Sequence, residues 1–275
     1  ETLERAIEHA EEGPARAESW RTLGLLYLER LERPEEARPA LEAAVAESGD
    51  ELALDALLRM AREAGDDAQV ATLLQRRLGS AEGETRVPLL TEIAALRTRL
   101  DDALGAVLAL EEAVALAPED LEVADQLLDA YFAAGQHDKA EPILERVIEV
   151  LKGARRFKDL FRYNYRMGCV AEARGDEDAA LQAFTECFDF DATYVPNLLK
   201  LGGIHFRREN WEAALKTYQT VLLHQMKLQK DERVEVFYNL GQVREALGDA
   251  RKAKDMFNRA LGLDPSHQAS QEALE

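Results

Sequence analysis

The side chains able to do chemistry are few and scattered. Five histidines, His9, His137, His205, His224 and His267, stand far apart. None belongs to a His-x-x-x-His, Cys-x-x-Cys or Glu-x-x-His pair, the spacings that set two ligands together, so no metal site is expected. Cys169 and Cys187 are too few for a disulfide framework and suit packing in a reducing compartment. Neither a Gly-x-x-x-x-Gly-Lys phosphate loop nor a Gly-x-Ser-x-Gly elbow occurs. Carboxylates cluster in turns such as Asp176-Glu177-Asp178, where nothing desolvates them. The chain therefore reads as a non-enzyme with no cofactor. What remains is binding chemistry, and it is concentrated. Of the aromatic residues only Trp20 and Tyr27 precede residue 130, and the first lysine is Lys139. Lys152, Arg155, Arg156, Lys158, Arg162 and Arg166 form a basic island interrupted only by Asp159. Such an island can dock an acidic partner segment. It can equally be a solvated face paired with neighbouring acidic turns.

The elements that must position these residues are helices. The chain has 275 residues, 47% hydrophobic and 32% charged, with 16 glycines and 8 prolines. Ala, Leu, Glu and Arg dominate, and all four favour helix. This composition excludes disorder and collagen-like sequence, and no apolar run suffices for a membrane span. The net charge is −19, which repels phosphate backbones and opposes nucleic acid as a partner. The expected compartment is the cytoplasm, with a periplasmic one as alternative. The Ala/Arg bias suits a high-GC bacterial gene. Glu1-Thr2-Leu3 reads as the interior of a helix, suggesting a piece of a longer protein.

A period near 34 residues organises the chain. One unit reads Leu240-Gly241, Gly248-Asp249, Ala253, Phe257, Ala260 and Pro265. Another reads Leu201-Gly202, Asn210-Trp211, Ala214, Tyr218 and Val221. A third reads Met167-Gly168, Gly175-Asp176, Ala180, Phe184 and Cys187. From the glycine, the intervals to the alanine, the aromatic and the next small or apolar residue are 12, 16 and 19 in all three. Equivalent positions recur at Gly24, Leu58, Ala94, Leu128, Gly168, Gly202 and Gly241, in steps of 34, 36, 34, 40, 34 and 39. Each unit is two amphipathic helices joined by a tight turn. One such hairpin cannot bury its apolar face alone, so the units must stack. The two long steps place extra residues near 153–160 and 229–233.

Trp20…Leu23-Gly24…Tyr27, Asn210-Trp211…Ala214…Tyr218 and Leu240-Gly241…Ala253…Phe257…Ala260…Pro265 resemble the tetratricopeptide repeat family. The resemblance implies an all-α, right-handed solenoid forming a single domain over 1–275. Its seven repeats lie near 17–50, 51–84, 87–120, 121–154, 161–194, 195–228 and 234–267, with partial helices at 1–13 and 268–275. It also implies a protein-interaction scaffold, taking a peptide, helix or small globular partner in the groove. A recruiting domain of a larger enzyme is the alternative. In this family the first helix of each repeat lines the concave groove. That rule selects Phe132, Tyr165, Cys169, Leu199, Gly203, Phe206, Tyr238 and Gln242, beside Arg162, Arg166 and Lys200. Phe132, Tyr165, Phe206 and Tyr238 form an aromatic ladder on this reading; a displaced helical register would make them core instead. A carboxylate clamp of the kind some family members use is incomplete, because Thr91, Ala95 and Gln126 stand where its other basic and Asn residues belong.

Overall fold

A computed structural model describes residues 2–275. The chain is 81% helical, and its described residues form sixteen α-helices and no strand. They divide into two compact units, residues 1–136 and 137–275. The first holds α1 (Thr2–His9), α2 (Pro14–Glu29), α3 (Pro34–Ser48), α4 (Glu51–Ala64), α5 (Asp67–Ser80), α6 (Arg86–Arg99), α7 (Ala103–Leu116) and α8 (Leu121–Ala133). The second holds α9 (His137–Gly153), α10 (Leu160–Ala173), α11 (Glu177–Phe190), α12 (Val195–Arg207), α13 (Trp211–Leu223), α14 (Lys230–Ala246), α15 (Ala250–Leu263) and α16 (Gln268–Glu272). No helix among the described residues is long and apolar enough to cross a membrane.

The hairpins α2/α3, α4/α5 and α6/α7 pack within the first unit, and α10/α11, α12/α13 and α14/α15 within the second. The turn chemistry explains where each second helix starts. Asp66, Asp102, Asp176 and Asp249 accept hydrogen bonds from backbone N–H groups three residues on, satisfying donors that the first helical turn leaves free. The residue before three of these caps, Gly65, Gly175 or Gly248, sits in the left-handed region at φ 68°, 76° and 80°, where glycine has no Cβ to clash. In the α12/α13 turn that conformation falls on Glu209, at φ 56°.

The small residue of the first helix has a direct packing role. A Cβ added at Gly168, Gly202 or Gly241 would meet the ring of Phe184, Tyr218 or Phe257 at 2.3, 2.9 or 2.4 Å. The aromatic sixteen residues on therefore packs directly against the glycine of its own hairpin. It also reaches the next one: Tyr218 shares a core cluster with Val234, Phe237 and Leu240. Gly203 does not share this role. A Cβ there meets nothing closer than Arg207 at 3.6 Å, so only Gly202 of the Gly202-Gly203 pair is a close-packing position.

The extra residues of the two long steps are absorbed as helix and short loop together. α9 runs to 17 residues, and a 3-10 turn at Phe157–Asp159 precedes α10. α14 also has 17 residues; a 3-10 turn at Gln225–Lys227 leads into it, and a capping box between Gln229 and Glu232 starts it.

Candidate functional site

A cleft of about 450 Å³ opens between α10, the turn before α12, and the entry to α14. Its apolar walls are Tyr165, Tyr194, Val195, Pro196 and Leu199, and its polar groups are Asp191, Thr193, Lys200, Lys227 and Glu232. The turn is built locally. Asp191 Oδ1 accepts from the Thr193 N–H at 2.8 Å and from its hydroxyl at 2.7 Å, an Asx-type turn that sets the next residue. That residue, Tyr194, stands edge-on to Tyr165 at 5.2 Å and to Phe161 at 5.1 Å, the favoured geometry for paired rings. Pro196 sits in the first turn of α12, where its missing N–H costs nothing.

Tyr165 is half-buried, leaning on Phe184 at 5.8 Å with Cys169 beside it. Burial, reinforced by the Cys169 neighbourhood, pushes its phenol well above the ordinary tyrosine range. Burial likewise raises the Cys169 thiol. Cys187 is raised to about 12, by burial first and then by Asp191. Neither cysteine offers a thiolate near neutral pH, so both suit packing. Lys200 Nζ lies 2.6 Å from Glu172 on α10, a tie between successive first helices.

The residues selected from sequence are thus spread unevenly. Tyr165, Leu199 and Lys200 converge on the cleft, with Cys169 against Tyr165. Arg166 is near enough to act electrostatically on Cys169 and Tyr194. Arg162 is exposed and lies over the Tyr163 ring, 5.0 Å from its centroid. Phe206 packs edge-on against Trp211 at 5.6 Å, away from the cleft lining. Tyr238 is held between Phe257 and His267, at 5.9 and 5.3 Å, and accepts a hydrogen bond from Gln242 at 2.9 Å. Gly203 adds no side chain. Phe132 lies half-buried on α8 in the first unit. In the basic island, Arg156 pairs with Asp159 at 2.7 Å. Tyr194, Thr193 and Lys227 were outside the repeat-based selection because they sit in connecting turns, which have no repeat register. The Asp191-x-Thr193 spacing was the signal that could have found them. Among the described residues no three His, Cys, Asp or Glu side chains converge as metal ligands.

Residues 161–194 and 194–266 each match the tetratricopeptide repeat family. A 100-residue stretch is 32% identical to the protein CTR9 homolog of Arabidopsis thaliana, covering 36% of this chain and 9% of that protein. The chain thus matches only a small part of that relative's length. Among solved structures, MamA superposes with a TM-score of 0.55 at 17% identity, over 65% of this chain and 92% of MamA. YrrB, a TPR protein with an unusual peptide-binding site, superposes with a TM-score of 0.52 at 17% identity, over 68% of this chain and 90% of YrrB. At these identities the likeness is one of fold.

Proposed function

From the premise that this chain is a tetratricopeptide-repeat protein, whose fold serves protein interaction, we propose that it holds a peptide segment of another protein. The segment seats in the cleft between α10 and α12. One observation carries the reading: two tyrosines, Tyr165 and Tyr194, flank an apolar floor at Leu199 and Pro196, with Lys200 and Lys227 beside it. Tyrosine supplies large contact area at little entropic cost, which is why such rings anchor interfaces. An apolar residue of the partner would pack beside the paired rings, against Leu199 and Pro196. An acidic residue next to it would face the two lysines, steering association rather than supplying most of the affinity. Asp191 and Glu232 on the same rim disfavour a long acidic run, so a single carboxylate beside an apolar anchor fits best. That YrrB, of the same fold, has an unusual peptide-binding site supports the reading.

Affinity capture with the intact chain, read by mass spectrometry, tests this. A wild-type bait should retain a partner that a Leu199→Arg bait loses, with both baits equally helical. Retention of the same proteins by both baits would overturn the cleft as the site.

A further inference from the structure

A second groove, of about 500 Å³, lies on the other side of α10, where α9 and α11 flank it. Its floor is apolar, formed by Ile148, Met167, Ala171 and Ala183. Its rim is acidic, carrying Glu145, Glu149 and Glu186. Arg174 stands at the rim already paired with Glu141, and Lys152 is the other base lining the groove.

The residue that distinguishes this groove is Asn164. It lines the groove, is only 3% exposed, and its Nδ2 has no hydrogen-bond partner. A buried amide left unpaired is destabilising, because water's hydrogen bonds are lost and nothing replaces them. The repeat register makes it more unusual. Four residues before the small-residue position, the other units carry Trp20, Leu54, Leu90, Ala124, Leu198 and Phe237, all apolar. Only here does a polar group occupy that column. Asn197, a second buried amide, donates to the Phe184 carbonyl at 2.9 Å but leaves its own Oδ1 unpaired; it stands one position earlier in the register and lines neither groove.

The geometry points to a docking site for an arginine- or lysine-bearing segment of a partner protein. The aliphatic stem of the basic residue lies over Met167, Ala171 and Ala183. Its cationic head meets the carboxylates of Glu145, Glu149 and Glu186, and the Asn164 amide donates to a carbonyl of the segment. Long basic side chains suit this combination, since they bury their stems and keep their charge at the rim. An acidic or wholly apolar segment would leave the carboxylates facing like charge or desolvated without a partner. The occupant and the face both differ from those of the cleft above, so the two sites stand or fall separately.

The test uses the whole chain and a fluorescein-labelled peptide of alternating leucine and arginine, read by anisotropy. Asn164→Leu restores the apolar residue of the repeat and leaves the protein's charge unchanged. It should bind the peptide about fivefold more weakly, the scale of one lost hydrogen bond, while its thermal midpoint holds or rises. The pair Glu145→Gln/Glu149→Gln should also weaken binding, whereas Glu63→Gln/Glu84→Gln, equal in charge but exposed in the first unit, should not. Two results would overturn the site. One is wild-type affinity in Asn164→Leu, leaving the amide a packing defect. The other is equal loss from both pairs of glutamate changes, which would make binding a response to net charge.

Discussion

At the scale of single residues, the neighbours Gly202 and Gly203 show how one residue type serves two ends. Gly202 is closed in by Tyr218, as Gly241 is by Phe257, whereas Gly203 has room for a side chain. Gly241→Ala should therefore destabilise the chain by about 1–3 kcal/mol, since the Phe257 ring blocks the new methyl group. Gly203→Ala should instead stabilise it by about 0.5–1 kcal/mol, because a helix interior favours alanine over glycine. Urea unfolding of the two variants checks this, and effects of the same sign would show that the register of α12 or α14 is misplaced. The aromatic residues at this scale are boundary residues. Tyr165 and Tyr238 are half-buried against rings of the second helices, and Phe206 against Trp211. They are neither a free ladder nor full core, and truncating any of them would disturb packing and binding together. Leu199 is the cleaner probe of the cleft because it lies on the cleft wall and only partly within the core cluster.

At the scale of elements, the first helices carry side chains toward both sides of a hairpin, and capping decides where each helix begins. Asp50 joins these roles. One carboxylate oxygen accepts from the Ala53 N–H at 2.9 Å, capping α4, and the other pairs with Arg21 on α2 at 2.8 Å. Asp50→Ala should cost about 0.5–2 kcal/mol, the usual loss for a helix cap. Asp50→Asn keeps the cap and gives up the ion pair, so it should recover most of that loss. Denaturation midpoints of the three proteins decide the matter; an asparagine variant no better than alanine would mean that the Arg21 tie, not the cap, holds this junction. Successive first helices are joined in the second unit by the same kind of contact, Glu172 to Lys200.

At the scale of the whole molecule, contacts within each unit run between neighbouring helices, so the stability of each unit is close to a sum of repeat and junction contributions. Removing residues 234–275 would uncover Val195, Leu198, Tyr218 and Val221, which share a cluster with Val234, Phe237 and Leu240. The remaining chain should stay helical by circular dichroism, melt at a lower temperature and bind a hydrophobic dye at the new end. Loss of most of the helical signal would refute the nearest-neighbour picture.

The helices and their pairing into hairpins were legible in the chain alone. These depend on short-range regularities: a spacing of three and four along a helix, aspartates at turn ends, and a small or leucine residue recurring every 34 to 40 positions. Each is written in residues close together, so no distant partner is needed to read it. The two grooves were decided by tertiary structure. Tyr194 joins the cleft because an Asx turn outside the repeat pattern aims it at Tyr165. Leu199 and Phe206, chosen by one rule, part company because Trp211 covers one and nothing covers the other's cleft face. Asn164 breaks the repeat column in plain sight, but its unpaired amide becomes visible only when α9 and α11 close around it. Burial is a property of what surrounds a residue, and those surroundings come from helices that lie a turn or a repeat away in the chain.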